Sequence, residues 1–339
     1  KDTSGYLGRP KMPHYKRKKS LSSFTFTNQD CYVLEQGNKN LLKFPAVRGH
    51  YLPIGPVSGR LKQVEVKPYY GEFLVICIFE TDEDCSSLPD GASCGIDLGV
   101  DNTAALVSSN GRCVLYKGGA LKSANQWYNK QMADCRSLAM KGHTADEAAK
   151  LGLLHTKKMQ SLSRRGNQFF HDTMHKIASD IVHFCLASGI TTIVIGKNKN
   201  WKQKSNIGHV NNQNFVQIPL ETLRWMITYK AESAGLIVVE QEESYTSKAS
   251  LVDGDEIPVY GKETKNLVAF SGRRIKRGLY RTGSGQVINA DLNGAGNILR
   301  KYIPDAFKDR KDFVFLDQIL VRNYPCLNKR IPVKGIGAA

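Results

Sequence analysis

The sequence predicts two domains: a small all-β barrel at the N-terminus and a larger α/β domain built on a parallel sheet. Three observations carry this. Residues 1–90 hold short alternating strands broken by Gly, Pro and Asn. Beyond them, apolar runs of strand length alternate with helical patterns, as parallel sheets with helical crossovers require. The length of 339 residues exceeds one typical domain.

In the first domain, Ser22–Thr27 alternates as Ser-Ser-Phe-Thr-Phe-Thr, and Leu61, Val64 and Val66 stand among polar residues. Phe73–Phe79 is a continuous apolar run after the Tyr69-Tyr70-Gly71 turn. The preceding segment carries Arg9, Lys11, Lys16, Arg17 and Lys18 with aromatic interleaving, and Pro10 and Pro13 keep it out of a helix. It reads as a solvated arm or as a strap that grips phosphates.

Thr81–Ala92 is acidic and turn-rich, a linker pattern. Gly95-Ile96-Asp97-Leu98-Gly99-Val100 then reads as a buried strand opening a hairpin. Leu121–Leu138 and Ala145–Leu162 are helical in pattern, the second expected to break at Arg164-Arg165-Gly166. Gln168–Ser188 is the clearest helix, with Phe170, Met174, Ile177, Ile181 and Phe184 at spacings of three and four. Thr191–Gly196 reads as a strand, Leu220–Ala234 as a helix and Leu236–Val239 as a further strand. A last helix is expected over 293–303, stopping before Pro304. Residues 306–339 form a tail whose Phe313-Val314-Phe315-Leu316 run suits an edge strand or a partner contact.

Lys and Arg outnumber Asp and Glu by 48 to 31, a formal charge of +17. Such an excess, gathered in clusters, speeds encounter with polyanions and points to nucleic acid. Further clusters are Lys197, Lys199, Trp201 and Lys202, then Arg273, Arg274, Lys276 and Arg277. A solvated face is the ordinary reading of such runs, and Trp201 suits a core as well as a base stack. The eight cysteines include no C-x-x-C pair, so they read as buried thiols in a reducing compartment and no zinc is expected. No stretch approaches the ~20 apolar residues of a membrane span, and no signal peptide opens the chain. The chain opens on Lys1, so an N-terminal portion is expected to be missing.

Against this basic background, a few carboxylates at strand ends and a helix start suggest divalent cations. Asp97 lies in an apolar strand and needs a partner. Glu242 and Glu243 follow the strand ending at Val239, and Asp291 precedes a helix, placed to cap it and to ligate. Asp101 is a second ligand or serves the turn with Asn102. An Asp before a helix is usually only a cap, and a Glu pair after a strand is usually solvated. If the three converge, two Mg²⁺ (or Mn²⁺) ions roughly 4 Å apart would relieve their repulsion and serve phosphodiester cleavage.

Gly95–Asn102 resembles the first RuvC motif of the transposon-encoded TnpB (OrfB) proteins, relatives of type V CRISPR effectors. The stretches Ile193–Gln203, Asn211–Phe215, Glu242–Ser250 and Arg274–Arg281 resemble signatures of one branch, and Ile288–Ala295 resembles the third RuvC motif. The resemblance spans residues 5–305 with six motifs in order. It implies an RNase H-like (RuvC) nuclease domain over 91–305 and a WED/OB-like barrel over 1–90. It also implies RNA-guided DNA cleavage, with guide RNA and target DNA as partners, in a prokaryotic, nucleoid-associated cytoplasmic setting. The helical part that precedes the barrel in that family is absent from this sequence, so the chain alone is expected to lose target recognition.

The sequence departs from that family twice. Most relatives end the strand corresponding to Thr192–Gly196 with the second acidic ligand, whereas this chain has Gly196. The expected site is therefore rearranged: Asp97, Asp291 and a Glu from the neighbouring strand, Glu243 first, Glu242 as the alternative and Glu240 a weaker third. The competing expectation is a nuclease-weakened, repressor-like RNA-guided DNA binder. Many relatives also carry two C-x-x-C pairs between the second and third motifs. This chain has no cysteine between Cys185 and Cys326, so the insert at 245–287 is expected to be held by packing alone and to face the target strand.

Overall fold

The computed structural model describes residues 21–45, 49–81, 88–197, 218–259, 269–310 and 312–324. Arg9, Lys11, Lys16, Arg17, Lys18, Lys199, Trp201 and Lys202 lie outside the described residues. The chain divides into two units, Lys1–Glu83 and Asp84–Ala339.

The first unit holds strands β1 (Phe24–Thr27), β2 (Tyr32–Gln36), β3 (Lys39–Lys43), β4 (Tyr51–Ile54), β5 (Arg60–Tyr69) and β6 (Glu72–Glu80). They form two three-stranded antiparallel sheets, ordered β1-β5-β6 and β2-β3-β4. Among the described residues these sheets share one core, built on Cys31, Leu42, Leu61, Val64 and Val66, without pairing into a closed barrel. Two-residue turns set both registers. Tyr70 and Gly71 both take positive φ, the mirror-image turn that matches strand twist, so Tyr69 pairs with Glu72.

The second unit is organised by one six-stranded mixed sheet, ordered β11-β10-β7-β8-β9-β15. Strands β7 (Ala92–Asp97), β8 (Asn102–Ser108) and β9 (Cys113–Lys117) form an antiparallel meander. Strand β10 (Ile190–Lys197) lies parallel to β7, and β11 (Ile237–Glu242) parallel to β10. Both sheet faces are covered, so the strands read as apolar runs rather than alternations. Ile96, Leu106 and Ile193 face one core with α1 (Gly119–Ala139), α3 (Lys157–Ala187) and α4 (Leu220–Ser233). Ala105, Val107 and Val194 face the other, with α5 (Ala290–Tyr302).

Between α1 and α3 stands the short α2 (Ala145–Lys150), closed at its start by a capping box of Thr144 and Glu147. The helix expected over Ala145–Leu162 is thus split. Gly152 turns left-handed (φ 72°), and Thr156 caps a new helix. The break expected at Arg164-Arg165-Gly166 does not occur, and α3 runs unbroken for 31 residues. Gly166 is buried against Tyr128 of α1, where an added Cβ would stand 3.2 Å from the ring. Close helix approach offsets the ~1 kcal/mol propensity cost of a glycine.

The stretch after β11 carries a second small antiparallel sheet, β12 (Arg273–Lys276), β13 (Leu279–Arg281) and β14 (Val287–Asn289). The last described segment is not a tail. Phe307, Phe315 and Leu316 are buried in the α5-side core, and residues 314–317 form a 3-10 turn where an edge strand or a partner contact was expected. The edge strand is β15 (Leu320–Arg322), parallel to β9.

Candidate active site

Alternation along the strands decides which carboxylates meet. Residues 95 and 97 of β7 and residues 194 and 196 of β10 point to the α5 side. Asp97 ends β7, partly covered by α5. An added Cβ on Gly294 of α5 would stand 2.8 Å from Asp97 Oδ2, so the glycine admits that carboxylate against the helix. Across β10, an added Cβ on Gly196 would stand 2.7 Å from Glu243 Oε2. The space that a side chain at 196 would fill is thus taken by the Glu243 carboxylate, arriving from one strand over.

Glu243 is fixed from behind. Its carbonyl accepts from Thr246 N (3.2 Å) and Thr246 Oγ1 (2.8 Å), and Tyr245 takes a left-handed φ of 67° to make that turn. Asn293 and Asn297, both fully buried on α5, tie the same loop to the helix. Asn293 accepts from Leu251 N (2.9 Å) and donates to Ala249 O (2.8 Å), while Asn297 donates to Thr246 O (2.9 Å) and Ala249 O (2.7 Å).

Asp291 lies in the first turn of α5, but it is not the cap. Asn289 caps, accepting from the amides of Asp291 and Leu292, and this starts the helix three residues earlier than its apolar pattern suggests. The Asp291 side chain is left for other partners. Asn102 Nδ2 donates to it at 2.6 Å and Arg274 Nη2 at 3.2 Å.

Electrostatically the three groups belong together. Burial pushes the Asp97 carboxyl well above the usual carboxylate range, Glu243 and Asp291 push it further, and Arg274 opposes them. Carboxylates crowded in a poorly solvated place resist ionisation unless a cation joins them.

The other acids are otherwise engaged. Glu242 accepts from Lys301 Nζ of α5 at 2.5 Å and from Ser244 N at 2.7 Å. Burial opposes its ionisation, but Lys301 and Ser244 outweigh it and hold its carboxyl below the usual range. Glu240 pairs with Lys197 and with Arg224 of α4, on the far side of the sheet. Asp101 is held by Lys122 and Arg277, and Asn102 turns to Asp291. Arg273 and Lys276 are exposed on β12.

The insert is not held by packing alone. Asp253 accepts from Ser250 Oγ (2.5 Å), Ser271 Oγ (3.0 Å), Gly283 N (2.6 Å) and Ser284 N (3.1 Å). Despite some burial, these donors draw its carboxyl down to about 2. Asp255 adds bonds from Ser250 N and Ser271 N, and the buried Tyr280 donates to Lys248 O at 2.7 Å. One carboxylate thus joins three separate segments of the insert.

Among the described residues, no three carboxylate, imidazole or thiolate groups stand ready to hold one metal ion. No described helix is long and apolar enough to cross a membrane.

Residues 77–202 match the family described as a probable transposase, OrfB_IS605. Residues 221–298 match a Cas12f1-like TNB domain. A TnpB-like protein, ORF457 of Acidianus two-tailed virus, is 28% identical over 211 residues, 61% of this chain. The chain spans 41% of that relative's length. Solved structures of a Cas12f1–sgRNA–target DNA complex and of a CRISPR-Cas12f ternary complex are each 17% identical, with TM-scores of 0.43. The first likeness covers 84% of this chain and 68% of that one, the second 70% and 45%.

The family matches run in order along the mixed sheet and its insert, the first resembling a transposon-associated OrfB protein and the second a Cas12f1-like domain. Together with the viral relative, they make the chain similar to TnpB-like proteins over these stretches.

Proposed function

We propose that the chain is an RNA-guided DNA endonuclease with an RNase H-like (RuvC) site, whose acidic ligands are Asp97, Asp291 and the relocated Glu243. The observation that carries the reading is the occupation of the Gly196 side-chain space by the Glu243 carboxylate. A chain that had merely lost its acid at 196 would have no reason to aim a neighbouring Glu into that space. The strand order supports the fold, since an antiparallel meander extended by two parallel strands puts Asp97 beside the ends of β10 and β11. The resemblance to TnpB-like and Cas12f1-like proteins supports the chemistry, because those relatives are nucleases.

The donor set suits hard divalent cations, being all carboxylate oxygen. Asp97, Glu243 and Asp291 would hold them, and bound magnesium supplies Lewis-acid activation of water and stabilisation of the leaving oxygen. Around that set the chain's own residues do the positioning. Asn102 fixes the orientation of Asp291, Asn293 and Asn297 hold the Glu243 loop, and Gly294 and Gly196 keep the space open. Arg274 is the cation beside the carboxylates and reaches Asp291 from the insert. In this reading it meets the scissile phosphate, while Arg273, Lys276 and Arg277 follow the strand. The guide would read the target by base pairing, while protein reads the sequence beside it.

Purified protein with its copurified RNA and matched DNA tests this in Mg²⁺. Cleavage should appear and should fall more than about 100-fold in Asp97→Asn, Asp291→Asn and Glu243→Gln, exceeding the loss typical of outer-shell changes. Guide-dependent binding without cleavage by the wild type would instead establish the repressor-like reading.

A further inference from the structure

The sheet β2-β3-β4 shows one face to the core and another to solvent. Val33 and Leu42 turn inward. On the outer face the register aligns Tyr32, Lys43 and Tyr51 in one row across the three strands. Both rings are open, at 43% and 42% exposure. Lys43 stands between them in the register, and its Nζ turns to Tyr32, donating to the hydroxyl at 2.6 Å and standing 4.8 Å from the ring centre. The next row on this face is Leu34, Leu41 and Pro53, and Gln36 with Lys39 closes it.

The charge on this face is one-sided. The strands contain a single acid, Glu35, and the pleat sends it to the opposite face. No carboxylate pairs with Lys43 among the described residues. A solvent-facing row of two aromatic residues around an ammonium with no carboxylate partner is complementary to bases joined by a phosphate. Rings two strands apart are separated by roughly 10 Å. That span seats one base on each ring, with the linking phosphate over Lys43. The tyrosine hydroxyls at the ring edges offer partners for ribose 2′-hydroxyls, which favours RNA over DNA.

We infer that the outer face of β2-β3-β4 is a stacking platform for unpaired bases of RNA, with Tyr32 and Tyr51 as the stacking groups and Lys43 as the phosphate contact. The inference deepens the RNA-guided reading by naming a surface that holds RNA. It does not involve the carboxylate site.

The test uses the full chain in EDTA, with a labelled 15-nucleotide oligouridylate as probe and fluorescence anisotropy as readout. The double variant Tyr32→Ala/Tyr51→Ala should bind about tenfold more weakly or worse, as loss of base stacking predicts. Tyr32→Phe/Tyr51→Phe should retain most of the affinity, and Lys43→Gln should lower the salt slope by about one phosphate contact. Ultraviolet cross-linking of the wild type to the same probe should place adducts on Tyr32 or Tyr51, which holds the test even where the alanine variant folds poorly. Unchanged affinity in the alanine variant, or adducts only elsewhere, would overturn the platform. An equal or larger loss with oligothymidylate would overturn the assignment to RNA. Because no divalent ion is present, a failure of DNA cleavage leaves this result untouched, and the reverse holds as well.

Discussion

At position 196 a glycine stands because a neighbour's carboxylate uses its space. An alanine there would press its Cβ to 2.7 Å from both Glu243 Oε2 and Ile298 Cδ1. Glu243 would have to move, and displacement near 1 Å at a reacting centre costs on the order of 100-fold in rate. Gly196→Ala should therefore lower cleavage by about that factor while the protein stays folded, as circular dichroism would show. Glu242 and Glu243 adjoin in sequence but differ in kind. The Lys301 side chain is only 6% exposed, so Glu242→Gln leaves a mostly covered ammonium with a weaker partner. Loss of about 1–3 kcal/mol in stability is expected there, measured by urea unfolding, with cleavage little changed. Asp97 has the opposite sign. Its carboxyl is raised in the folded protein, so it contributes stability below the pKa of an unfolded aspartate, and that contribution is lost as pH rises through the raised folded value. At neutral pH without metal its charge is therefore a cost. Asp97→Asn should melt higher than wild type in EDTA, and Mg²⁺ should raise the melting temperature of wild type more than that of the variant.

The elements explain why these residues meet. Helix α5 lies across β7, β8 and β10, carrying Asp291 and Gly294 toward the carboxylate group and the two buried asparagines toward the Glu243 loop. The insert brings Arg274 to Asp291, and Asp253 holds the insert together. Asp253→Asn should loosen it, read as amide exchange at Gly283 and Ser284 faster by about tenfold, the worth of a charge-assisted hydrogen bond. Acid should act similarly. The carboxyl is lowered, so its stabilisation is full above the unfolded aspartate value and fades as pH falls toward about 2. Much of this scale was legible in the chain itself. The apolar runs of β7, β10 and β11 and the 3–4 spacing of α3 were open to reading, and so was the flanked charge of Asp97. Other features depended on three-dimensional partners. Gly166 looked like a helix break because the ring of Tyr128 that rewards its smallness is 38 positions away. Asn289 was not recognised as the α5 cap because Asp291 is an equally good capping type. Asn293 and Asn297 did leave a signal, two amides four apart in a helix whose middle is otherwise small and apolar, and Asn102 left none beyond its turn. The bonds of Asp253 join segments about thirty residues apart, which no local pattern announces.

Across the whole molecule, a charge of +17 frames a small group of acids. In the proposed function the cationic clusters bring polyanions in, and the carboxylates take cations of their own before a phosphate approaches. Binding of RNA and DNA should therefore weaken steeply with salt, with a log–log slope near −0.7 to −0.9 per phosphate contact, and a flat response would contradict phosphate recognition. The rearranged acidic site is tested most directly by comparing wild type, Glu242→Gln and Glu243→Gln in cleavage of guide-matched DNA in Mg²⁺. Wild type and Glu242→Gln should cut at similar rates while Glu243→Gln falls more than about 100-fold. Cleavage by Glu243→Gln at the wild-type rate would contradict it.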